Sequence, residues 1–167
     1  MSKHKRLLQC VATGLVAVVG TALHTPVAAN ELPYRGSCDT AVTPLTAPGV
    51  FPQQLRIDLD CMLAHLGRTS GVATQIVTPV AQTCVVVTAI IENATAYTAA
   101  NGDVLEQSFA GAALINLETG NVRFIGTETF NGGTGRFSNA SGTSDLEGTA
   151  SIFTNIGFYT VEGRLAY

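Results

Sequence analysis

The sequence predicts an all-β domain, an eight-stranded antiparallel up-and-down barrel, behind an N-terminal signal peptide. Three observations carry this. Runs rich in Val, Ile, Thr and aromatic residues recur along the chain after residue 29, each bounded by Gly, Asn, Asp or Pro. One of them, Leu55 to Leu63, alternates strictly, with Leu55, Ile57, Leu59, Cys61 and Leu63 on one face and Arg56, Asp58 and Asp60 on the other. Period two with one charged face is a half-buried strand. No segment after the signal has a helical period.

The first 29 residues are set apart by composition. Lys3, Lys5 and Arg6 form a basic start, Leu7 to Leu23 is uncharged and apolar, and Val27-Ala28-Ala29 supplies small residues for cleavage near Ala29. The alternative, an uncleaved anchor, fits less well, because Gln9, Thr13, Gly14 and Gly20 interrupt a run short for a span. The expected mature domain is 30–167, secreted or periplasmic, with no stable membrane insertion. Both lysines leave with the signal, so six arginines face twelve carboxylates, a net charge of −6. A chain with no basic patch is a poor partner for nucleic acid.

The strands follow in order. Ser37 to Val42 is the first, and a Pro/Gly-rich connection from Thr43-Pro44 to Pro52 leads to the alternating second. After Ala64 to Arg68, Gly71 to Thr78 is the third, with Pro79 as its expected end. Thr83 to Tyr97 is the fourth, and its first part, to Ile91, is apolar on both faces, which calls for a partner surface. Asn101-Gly102 is hairpin-turn text leading to Val104–Ile115, whose centre holds Ala110, Gly111, Ala112 and Ala113. Glu118 to Asn121 turns into Val122–Phe130. A glycine-rich stretch, Asn131 to Gly142, precedes the last pair, Leu146–Phe153 and Phe158–Tyr167. Eight strands at this spacing fit an antiparallel barrel or sandwich, and uniformly short connections select the up-and-down order.

Cysteines 38, 61 and 84 remain after cleavage, in an oxidising compartment. Cys38 and Cys61 are nearly equidistant from Gly49, in the connection between the first two strands, so antiparallel pairing sets them nearly opposite each other. The expected bridge is Cys38–Cys61, with Cys84 a buried small hydrophobe.

Several chemistries are poorly served. Gly132-Gly133-Thr134-Gly135 lacks the lysine and following helix of a phosphate loop. His65 is the one histidine of the mature chain, and three scattered cysteines lack zinc spacing, so no metal and no cofactor is expected. His65 and Arg68 read as turn-fixing residues. The informative carboxylates are Glu128, on a face with Val122, Phe124 and Phe130, and Glu162, on a face with Ile156, Phe158 and Ala166. If both faces line the lumen, Phe124, Glu128, Phe130, Phe158 and Glu162 form a ligand site, and burial raises the carboxyl pKa values unless arginine pairs with them. No catalytic residue is assigned.

Gly132-Gly133-Thr134-Gly135-Arg136-Phe137, with Ala140-Ser141-Gly142, resembles the glycine corner of the allene oxide cyclase-like barrels and their dirigent relatives. His65-Leu66-Gly67-Arg68 and Thr98 to Asp103 resemble segments of uncharacterised secreted bacterial proteins with the same corner. The resemblance implies an eight-stranded barrel, often trimeric, that holds hydrophobic oxylipins or phenolic radicals and steers their stereochemistry. It supplies no catalytic residue, because no stretch matches the plant enzymes' active-site positions. Three functions follow: a barrel binding a small hydrophobic molecule, an isomerase or cyclase of allene oxide cyclase type, or an envelope protein with a filled barrel.

The cysteine assignment is directly testable. Thiol labelling of the native, non-reduced protein should modify at most Cys84, and labelling of Cys38 or Cys61 without reductant would exclude the pairing.

Overall fold

The structure is a computed structural model, and it describes residues 31–47 and 50–167. The segment expected to be a signal peptide, 1–29, lies outside these residues. Eight antiparallel strands close into one barrel in chain order: β1 (Leu32–Pro44), β2 (Gln53–Leu63), β3 (Gly67–Gln82), β4 (Val86–Thr98), β5 (Val104–Asn116), β6 (Asn121–Gly133), β7 (Ser141–Ser151) and β8 (Ile156–Ala166). β1 pairs with both β2 and β8, which removes the sheet edges. No helix of the described residues is long and apolar enough to cross a membrane.

The predicted disulfide is present. Cys38 and Cys61 are direct cross-strand partners with Cα atoms 4.1 Å apart, and their sulfurs are bonded inside the barrel. A bridge of this kind typically contributes about 2–4 kcal/mol.

Two expectations are corrected. Pro79 does not end the third strand: pairing to β4 continues past it through a register shift between Pro79 and Ala81. A bulge leaves one residue out of the ladder, which is where a strand tolerates a missing N–H. Cys84 is exposed in the β3–β4 connection, not buried, because the strand it was placed in starts only at Val86.

The two ends of the barrel differ. At one end the chain folds inward after β6. Gly133 and Gly135 have φ values of +153° and +56°, and a Cβ on either would lie 1.9 Å from Val104 O or Asp103 Oδ1. Only glycine fits this corner. It leads into a single 3-10 turn, Gly135–Phe137, which drives Phe137 into the barrel end with no exposed surface. Tyr167 packs edge-on against that ring at 5.1 Å, and the Arg136 guanidinium lies 4.7 Å above it. Leu66, Ala99, Ala140 and Leu165 complete the plug. Outside it, Arg136 Nη2 donates to His65 O at 2.6 Å, His65 Nε2 contacts Pro33 O at 3.0 Å, and Arg68 pairs with Asp60 at 2.9 Å. His65 and Arg68 thus fix a turn, as their setting in the sequence suggests. The other end is open.

Phe137 should be the most costly single truncation. Phe137→Ala is expected to lower the unfolding free energy by about 3–5 kcal/mol in denaturant titrations, as for other buried aromatics. Phe153→Ala, at the open end and 65% exposed, should change it by no more than about 0.5 kcal/mol.

Candidate functional site

Closure makes every second side chain of each strand face the lumen. In the open half these are mostly small or branched: Ala73, Val77, Val87, Ala89, Ile91, Ala113, Ile115, Val122 and Ala150. Gly111 and Gly126 are cross-strand partners, and the Phe109 ring lies flat across both, within 2.6 Å of where either Cβ would stand. A glycine pair therefore lets an aromatic lie along the wall without crossing the barrel. The result is a cavity of about 560 Å³ that runs from the mouth, at Pro44, Phe51, Pro79, Leu117 and Ile152, down to Glu128 and Tyr159. That volume is within the ~300–1,000 Å³ of ordinary small-molecule sites.

The floor is a polar cluster in an apolar shell. Glu128 is fully buried and takes part in no ion pair among the described residues. Its Oε1 accepts from Gln107 Nε2 at 2.8 Å and, more weakly, from the Tyr97 hydroxyl at 3.5 Å. Its Oε2 accepts from Ser144 Oγ at 2.5 Å. The hydroxyls of Tyr97 and Tyr159 are 2.6 Å apart, and Gln107 Nε2 also reaches Tyr97 at 3.1 Å. Burial raises the Glu128 carboxyl above its ordinary value, and the donors Ser144, Gln107 and Tyr97 pull it part of the way back. Burial also pushes the hydroxyls of Tyr34, Tyr97 and Tyr159 up, and the Glu128 charge raises them further, so all three stay protonated at neutral pH.

This connectivity gives two proton arrangements. With Glu128 ionised, Tyr159 donates to Tyr97 and Tyr97 donates to Glu128. With Glu128 protonated, the sense reverses, and the Tyr159 proton is free for an acceptor in the lumen. The pair of states lets the floor donate or accept one hydrogen bond at the cavity wall.

The five sequence-derived site residues separate. Phe124 and Glu128 line the cavity. Phe130 faces inward below the floor and meets Tyr34 edge-on at 4.8 Å, so it belongs to the plug. Phe158 and Glu162 require correction. Both point outward from β8, Phe158 with 46% of its surface exposed, because the inward set of β8 is Gly157, Tyr159, Val161, Gly163 and Leu165. The face of Ile156, Phe158 and Ala166 looked like core because it carries large apolar side chains, whereas the true inner face carries two glycines.

Tyr97, Gln107, Ser144 and Tyr159 were not singled out in the sequence. Their signal is polarity on the apolar parity of a strand: Gln107 between Leu105 and Phe109, Ser144 before Leu146, Tyr97 in register with Ile91 and Ala89. Among the described residues there is no cluster of His, Cys, Asp and Glu able to hold a metal. The chain was compared with protein-family models, curated proteins and solved structures, and matches none of them.

The raised Glu128 carboxyl sets a pH dependence of known sign. The folded protein holds this proton more tightly than the unfolded chain, so the contribution is complete below the ordinary value of 4.5 and is lost as pH rises through the folded value. Urea midpoints measured from acid to neutral pH should fall across that window in the wild type and lose this component in Glu128→Gln. Identical slopes in the two proteins would show that Glu128 does not titrate in this way.

Proposed function

We propose that this barrel, exported from the cytoplasm, binds a small hydrophobic molecule in its lumen. The observation that supports it most is an apolar cavity of about 560 Å³ that opens to solvent at one end and stops at a buried, hydrogen-bonded carboxyl at the other. Apolar walls bind by excluding water and tolerate many shapes, whereas the floor offers hydrogen bonds to one polar group and fixes which end of the ligand enters first. The disulfide fits an oxidising compartment, periplasmic or extracellular. Kinship with the allene oxide cyclase-like and dirigent-like barrels is part of the same proposal and rests on the glycine corner and its neighbouring motifs. The open lumen weighs against an envelope protein with a filled barrel.

A second reading, an isomerase or cyclase, is favoured by one feature. Glu128, Tyr97 and Tyr159 link a carboxyl of raised pKa to a hydroxyl at the cavity wall. Assembly into a homo-oligomer, trimeric by resemblance, has the outer wall as its support. Ile90, Ala112 and Ile125 are successive cross-strand neighbours there, and Ile90 and Ile125 are 47% and 64% exposed in the single chain.

Native purification followed by solvent extraction and mass spectrometry should recover an apolar molecule with one polar terminus. Recovery of none, together with no uptake of lipophilic probes, would remove the binding proposal. With a molecule in hand, Glu128→Gln and Tyr159→Phe separate the two readings: binding kept and turnover lost marks an enzyme, and ligand retention reduced with no turnover in either protein marks a binder.

A further inference from the structure

The open end is unusual in what it carries. The described residues of its four connections, 45–47 with 50–52, 83–85, 117–120 and 152–155, lie at the cavity mouth, and together they contain one charged residue, Glu118. The large side chains there are exposed and apolar: Val50, Phe51, Val80 at the end of β3, Leu117, Ile152 and Phe153, with Phe51 at 56% and Phe153 at 65% exposure. The closed end is the opposite. Its connections hold Asp103, Arg136 and His65, tied by charged hydrogen bonds, with the Arg68–Asp60 pair beside them. Residues 30–167, with a net charge of −6, thus place one charge, Glu118, in the connections of one end and several in those of the other.

We propose that this apolar rim, with Glu118 as the one charge in its connections, docks on the surface of a lipid bilayer, mouth down. Three features select that occupant. The apolar side chains come from several connections around one opening, so they present a ring to a plane and not a groove to a peptide or helix. Without lysine or arginine in the rim, attraction to anionic headgroups is missing, and insertion of Phe51 and Phe153 into the boundary of headgroups and acyl chains is what remains. The rim is also continuous with the lumen: Phe51, Leu117 and Ile152 line both. A molecule suited to an apolar lumen is scarce in water and dissolved in lipid, and a docked mouth gives it a path that never crosses water. That exchange role rests on the lumen reading. The docking itself does not.

Sedimentation of the full chain with phosphatidylcholine vesicles tests it. Residues 1–29 include an apolar run of their own, so the quantity read is the difference between proteins that share them. The wild type should pellet with vesicles equally at low and high salt, and Phe51→Asp/Phe153→Asp should lose at least about tenfold in partition. Met62→Asp, which puts a charge on an exposed residue near the closed end, should partition as wild type. Circular dichroism melting checks that each variant is folded. Equal partition of wild type and the rim variant overturns the proposal, as does absence of wild-type binding or its loss in salt. A rim variant that loses only a mouth-to-mouth dimer in sedimentation velocity, without a change in vesicle binding, also overturns it and assigns the rim to a second copy. No extracted ligand is needed for any arm, so failure here leaves the lumen proposal standing, and the reverse.

Discussion

Ladder closure between β1 and β8 is the constraint on which the rest depends. Once Leu32–Ala41 pairs with Ile156–Leu165, no strand has a free edge, and each residue's parity is fixed as lumen or surface. Parity then assigns work. Inward positions near the glycine corner carry Tyr34, Leu105, Phe130, Phe137 and the disulfide, and they fill the barrel. Inward positions toward the mouth set alanine and valine among Leu55, Ile57, Ile91, Ile115 and Phe124, and they leave it open. The same ladder therefore builds a packed base and a hollow top, and the polar cluster lies at the boundary between them.

That boundary explains why a carboxyl is tolerated there. Glu128 has no cation beside it, and an isolated charge in an apolar core is expensive. Three side-chain donors surround it instead, and the packed base below holds those donors in place. One group of the cluster is left over: Gln107 Oε1 has no partner. Flipping the amide would set that oxygen against Glu128, so the carboxylate itself fixes the amide's orientation. A buried network with one acceptor unused is less stable than a complete one, and this one lies at the lumen floor, where the proposed ligand would place its polar terminus.

Much of this was legible in the sequence, and the misreadings have physical causes. The strand number, the order, the Cys38–Cys61 bridge and the inward face of β6 follow from alternation and turn chemistry, which are local. The face of β8 was misread because side-chain size stood in for burial. In a filled core the two agree, since large apolar residues go inside. In a hollow barrel they part: Gly157 and Gly163 face inward at positions where a Cβ would meet Thr40 Oγ1 or Thr143 O, while Ile156 and Phe158 face outward. Tyr97, Gln107, Ser144 and Tyr159 lie on four strands, and only the closed register brings them together. Pairing of that range has no local signature.

Small inward residues are thus the strongest statement the chain makes about its work. Packing to native density stabilises a fold, and each missing methylene in a core weakens it. Ala73, Ala89, Ala113 and Ala150 lie at inward positions of four different strands, and at the three that line the cavity, Ala73, Ala113 and Ala150, leucine would take up lumen space. Retaining alanine at all four forgoes burial that the disulfide and the aromatic plug must offset from the other end. An occupant of the proposed kind would restore the missing contacts and, binding only the closed barrel, would stabilise the fold by mass action. On the proposed reading stability and occupancy become one equilibrium, because the hollow half of the barrel would reach full packing only with something apolar inside it.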